Sequence, residues 1–102
     1  MAEIKQFNSF PVSYNKLTDF TNKRVLAEYY HHDTPSEPSV SVLGTLTDVF
    51  ISTDNDGYIS LRFKYGTDVS FHEENYFTNL SYDSVVFASK NDEETYCIIT
   101  LI

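Results

Sequence analysis

Cysteine is nearly absent. Cys97 stands alone, so no intramolecular disulfide can form, and without a CxxC pair or a Cys/His cluster there is no framework for structural zinc. Three glycines and three prolines exclude collagen-like and low-complexity chains, and they could hardly build a glycine-rich phosphate cradle. No GxSxG, P-loop or EF-hand pattern occurs. The nearest approach to the last is Asp54-Asn55-Asp56-Gly57, where Phe63 stands at the position of the final bidentate Glu. Long hydrophobic runs are missing too. Ile4 and Phe7 are the only large apolar residues soon after Met1, and charge interrupts them, so the pattern predicts neither a signal peptide nor a transmembrane span and implies a cytoplasmic protein (host cytoplasm if phage-encoded).

Cations are the other shortage. Seven Lys and Arg face fifteen Asp and Glu, a formal net charge of −8. The imbalance is uneven along the chain: residues 1–32 carry four cations against three acids, residues 33–102 only three against twelve. Phosphate neutralisation by Lys and Arg dominates nucleic-acid affinity, so this field disfavours direct nucleic-acid binding and favours encounter with a basic surface.

What is present is globular: 41% hydrophobic residues with eight Phe and eight Tyr, enough for one modest core in a single domain spanning 1–102. The stretch 40–65 organises the rest. Its second arm alternates, with Ile59, Leu61, Phe63 and Tyr65 opposite Ser60, Arg62 and Lys64, the period of a half-buried strand. Its first arm sets Val40, Val42 and Leu46 on one face, whereas Val49 and Ile51 follow the opposite parity. A β-bulge near Thr47-Asp48 would produce that switch. Between the arms, residues 54–57 tolerate positive φ and predict a hairpin turn.

Elsewhere, residues 1–12 read as extended and Pro11 blocks helix continuation from that side, so Ser13 reads as the N-cap of a short helix over 14–22, with Val12 and Leu17 as a hydrophobic staple and Leu17 and Phe20 facing the core. Strands are expected over 25–32, 68–72, 84–89 and 95–102. Residues 33–39, with two prolines, form the expected mobile loop, and 76–80 the expected single helical turn. The fold expectation is mainly β with a short N-terminal helix: a small, strongly bent antiparallel sheet or an SH3-like barrel of five to six strands.

Candidate chemistry is sparse. His31 and His32 are adjacent on a strand and point to opposite faces, so a metal site shared with Asp33, His72 or Glu73 is not expected. Cys97 lies among Ile and Thr without a neighbouring base, which suits a buried thiol better than a nucleophile. Paired carboxylates fall in turns and read as solvated charge, so neither an enzyme nor any cofactor is expected. Eight tyrosine hydroxyls cannot all be buried without partners, so some should lie at the surface among acids.

The candidate partner-binding residues are therefore Asp54, Asp56, Tyr58, Glu73, Glu74, Tyr76, Asp92, Glu93 and Glu94, arranged as phosphate surrogates. The expected partner is a basic protein, a nuclease or nucleoprotein effector, with no direct nucleic acid and no membrane. In type, without a shared motif, this profile is similar to phage anti-CRISPR and anti-restriction proteins and to nuclease-immunity proteins. The alternatives are an assembly module of a larger particle and a small-barrel nucleic-acid binder. The latter would need a basic aromatic groove that only Arg62 and Lys64 begin to supply.

Overall fold

A computed structural model of the chain describes residues 9–31, 33, 36–52, 57–64, 66, 68–91 and 94–102. The one α-helix among these residues, α1 (Phe10–Thr18), begins four residues before the position the sequence suggests. The cap is Ser9 and not Ser13: Ser9 is extended (φ −73°, ψ 157°), and its hydroxyl accepts from the Val12 N–H. Pro11 sits in the first turn, where its missing N–H would have had no helical partner anyway, so it belongs to the helix instead of blocking it. Phe10, Ser13 and Leu17 then share one buried face. Ser13 donates to Thr78 Oγ1 at 2.8 Å, so the residue read as a cap is a fully buried hydrogen-bond donor. Val12, half of the supposed staple, is 44% exposed.

Among the described residues seven strands follow: β1 (Arg24–Tyr30), β2 (Val40–Ser52), β3 (Tyr58–Phe63), β4 (Asp68–His72), β5 (Tyr76–Leu80), β6 (Ser84–Ser89) and β7 (Tyr96–Leu101). All pairings are antiparallel, and the sheet runs β4-β3-β2-β1-β7-β6-β5. It curls strongly into a half-barrel with α1 packed on its inner face. The expected bent sheet is present, with one strand more than the five or six expected.

Two features produce the curl. The 13-residue β2 pairs through its first half with β1 and through its second with β3. The register shifts between Leu46 and Asp48, as the parity switch predicts, and the extra Thr47 donates its hydroxyl to the Arg62 carbonyl. The sheet edges are joined by residues 73–75 alone, so β4 and β5 meet at a corner without pairing. Phe71 of β4 closes that corner from inside. Its ring stacks on Phe87 of β6 at 3.9 Å and meets the Tyr76 ring edge-on at 5.3 Å. Phe10 adds a T-shaped contact with Phe87 at 6.1 Å.

Strand β5 replaces the helical turn expected over 76–80. Tyr76, Thr78 and Leu80 face inward, but Thr78 interrupts the apolar alternation that would have revealed the strand. The inward threonine is tolerated because Ser13 supplies its hydrogen bond. The expected loop after β1 does connect two strands, and the Ser39 N–H anchors it to the Tyr29 carbonyl at 2.8 Å. The expected hairpin turn at 54–57 lies outside the described residues except for Gly57.

Candidate functional site

The turns bearing the candidate acids are tied together at one end of the molecule. Glu73 donates its backbone N–H to the Gly57 carbonyl at 2.8 Å, joining the β4–β5 turn to the end of the β2–β3 connection. Lys90 donates to the Asn75 carbonyl at 2.9 Å, joining the β6–β7 turn to the same β4–β5 turn. The approach at Gly57 is close. A Cβ there would lie 3.1 Å from Glu73 Oε1, so a side chain at position 57 would require the exposed Glu73 carboxylate to swing aside.

Glu73, Glu74 and Glu94 are therefore brought to one end and exposed to solvent. Asp54, Asp56, Asp92 and Glu93 lie outside the described residues. Asp33 and Glu37 belong to the same end by register: the 31–39 loop leaves the sheet beside the Tyr30–Tyr96 rung, from which the 90–95 turn also leaves. Tyr30 and Tyr96 stack there at 4.8 Å. Burial and the Glu28 carboxylate hold the Tyr30 hydroxyl above its ordinary pKa. The two candidate tyrosines part company. Tyr58 is half-buried on the outer face, its ring 5.4 Å from that of His72, whereas Tyr76 turns inward against Phe71. Burial, followed by the Tyr29 hydroxyl, raises the Tyr76 pKa.

Cations gather at the opposite end. Backbone hydrogen bonds there link Lys23 to Leu46, Lys64 to Thr45, Arg24 to Ile102 and Asp83 to Leu101. Lys16 reaches the same region and donates to the Tyr82 carbonyl at 2.8 Å. Lys16, Lys23, Arg24 and Lys64 thus offset Asp19 and Asp83, whereas at the acidic end Lys90, 5.0 Å from the Phe77 ring, is the one described cation. This polarity is invisible in the linear halves of the sequence, because the sheet interleaves distant turns.

Among the described residues, no group of three or more His, Cys, Asp or Glu side chains is placed to hold a metal ion. His31 Nδ1 lies 3.4 Å from Asp33 Oδ2, a local exposed pair. No described helix is long and apolar enough to cross a membrane.

Cys97 is buried beneath the sheet, and desolvation, with a smaller contribution from Glu28, pushes its thiol from 9.0 up to about 12. The sign of the linkage follows. The folded thiol stays protonated where the unfolded one ionises, so its stabilising contribution is complete below about pH 9 and is lost as pH rises towards 12. Thermal melts between about pH 8 and pH 11 should show stability falling with pH, and Cys97→Ala should flatten that fall by up to about 1.4 kcal/mol per pH unit. Identical slopes for the two proteins would show that the thiol ionises as freely in the folded state as in the unfolded chain.

Comparison with family models, with curated proteins and with solved structures returns no match. The class is accordingly defined by geometry alone: among the described residues, a seven-stranded open half-barrel filled by one helix, with Glu73, Glu74 and Glu94 collected at one end and Lys16, Lys23, Arg24 and Lys64 at the other.

Proposed function

We propose that the protein acts by binding: its acidic end docks on the basic surface with which a nuclease or nucleoprotein effector handles nucleic acid, and so keeps the nucleic acid out. The observation that carries this reading is the pair of backbone bonds, Glu73 to Gly57 and Lys90 to Asn75, that hold separate acidic turns as neighbours. Carboxylates on tethered turns present fixed negative charge at little ordering cost, as a phosphate surrogate must. With Lys90 as its one described cation, the approach face is predominantly negative, which steers encounter with a basic groove. Inhibitors of the anti-CRISPR, anti-restriction and nuclease-immunity type fit this chemistry.

The test is a triple charge reversal, Glu73→Lys, Glu74→Lys and Glu94→Lys. Immobilised native protein should retain basic nucleic-acid-handling proteins at about 50 mM NaCl, release most at about 300 mM, and lose them to added polynucleotide. The reversed variant, folded by circular dichroism, should bind at least about tenfold more weakly, a loss of about 1.4 kcal/mol. A partner held equally by both proteins and indifferent to polynucleotide would overturn the reading. A native protein that scatters light as a closed oligomer and captures nothing basic would favour the particle-assembly alternative instead.

A further inference from the structure

A slot on the outer face of β2, β3 and β4 lies apart from the acidic turns, and no reading of the sequence singled it out as a whole. Three rungs of the ladder build it. The first is Asp48–Arg62–Asp68, the second Phe50–Ser60–Ser70, and the third Ser52–Tyr58–His72. The middle rung is the floor, where two small hydroxyl side chains lie between larger neighbours. Phe50, Tyr58, Ser60, Arg62, Ser70 and His72 line a depression of about 380 Å³, within the size range of small-molecule sites.

Its walls are planar and held in place. On one side the Arg62 guanidinium lies 5.3 Å from the Phe50 ring centroid, and its Nε donates to Asp68 Oδ1 at 3.2 Å. On the other, the Tyr58 and His72 rings lean together at 5.4 Å and 45°. Arg62 and Tyr58 are four residues apart on one strand, about 13 Å along it. A ring stacked on both faces needs about 7–8 Å between the flanking planes. The span exceeds that, so one planar ring standing on the serines lies between the walls and stacks against one of them at a time.

The floor specifies the edge of that ring. Ser70 Oγ donates to Ser60 Oγ at 3.1 Å. That bond uses the Ser70 hydrogen and leaves the Ser60 hydroxyl hydrogen beside the Ser70 lone pairs, a donor next to an acceptor. The complementary edge is an N–H adjacent to a carbonyl or ring nitrogen, as every nucleobase presents. Charge selects further: Asp48 and Asp68 flank Arg62 in register, so the rung is net negative and offers little to a phosphate. We infer that this slot binds the nucleobase of an uncharged nucleoside, edge down on Ser60 and Ser70, between Arg62 and the Tyr58–His72 pair. A base within a strand has the same edge, but its phosphates meet both this rung and a chain of net charge −8.

The experiment is a ¹H–¹⁵N NMR titration of the whole chain with adenosine, guanosine, cytidine and uridine, each to about 20 mM. At least one should shift amides of the six lining residues selectively. Methylating the edge nitrogen of that nucleoside should weaken it at least about fivefold, and so should Ser60→Ala, because each leaves a hydrogen-bonding group unmatched. Its 5′-monophosphate and a short single-stranded oligonucleotide of the same base should bind more weakly than the nucleoside. No response at these residues to any of the four, an equal response to the edge-methylated form, or tighter binding of the monophosphate or oligonucleotide would overturn the assignment. Ser60→Ala lies on the outer face, so an otherwise unchanged spectrum separates lost binding from lost fold.

Discussion

Phe87→Ala is expected to lower the stability of the protein by about 3–5 kcal/mol, the range for removing a fully buried aromatic side chain. Phe87 has no exposed surface and occupies an inward position of β6. Its ring also links the edge strand β4 to β6, the strand beside the other edge, stacked at 3.9 Å on Phe71 of β4 while Phe10 meets it edge-on. Because β4 and β5 are not paired, side-chain packing at that corner does what ladder hydrogen bonds do in a closed barrel. The cavity would therefore open where the backbone offers least support. In a domain of this size the melting temperature should drop by at least about 12 °C, at about 4–8 °C per kcal/mol. Phe87→Leu, which keeps much of the volume, should cost far less. A Phe87→Ala protein that melts within about 5 °C of the native one would show that the corner does not depend on the aromatic stack.

Leu17→Asp should abolish cooperative folding at neutral pH. Leu17 is fully buried where α1 meets the inner face of the sheet. A carboxylate there would be desolvated without a partner, at a cost of several kcal/mol against a total stability of about 5–15 kcal/mol. A nine-residue helix cannot persist undocked in water, so the helix and the core it covers should be lost together. The companion variant Val12→Asp lies on the same helix but at a 44% exposed position, third after the Ser9 cap. A carboxylate in the first turn complements the helix dipole, and its effect should stay within about 1 kcal/mol of zero, stabilising if anything. Circular dichroism melts of the pair decide the matter. A cooperative melt for Leu17→Asp would mean that the sheet holds without its helix, and an equal collapse of both variants would mean that the exposed and buried faces of α1 are assigned wrongly.

The sequence was most legible where residues obey one period and carry one polarity. In β3, Ile59 and Leu61 alternate with Ser60 and Arg62, and the structure buries the first pair and turns the second outward. The parity switch in β2 identified its bulge because Val42 and Leu46 before Thr47, and Val49 and Ile51 after it, all pack towards the core. Legibility failed where a polar side chain was needed inside. Thr78 hid β5, and Ser13 passed for a helix cap, because the hydrogen bond that joins them spans 65 residues. The true cap, Ser9, was obscured by Pro11, which local reasoning placed before the helix although the first turn accepts proline. Of the candidate site, Glu73, Glu74 and Glu94 could be chosen as acids in turns, but nothing local shows that those turns are neighbours.

Composition and pattern by themselves determined a mainly β chain with a strong negative charge, a bulged central strand, a buried thiol and a short helix bearing Leu17. Each of these follows from side-chain polarity read at a fixed spacing, which depends on no distant contact. Tertiary structure alone decided which turns share an end, which cations stand opposite them, and which side chains from β2, β3 and β4 surround Ser60 and Ser70. The reason is one of range. Backbone bonds such as Glu73 to Gly57 and Lys90 to Asn75, and the ladder register across three strands, join residues whose separation in sequence carries no signal of their meeting.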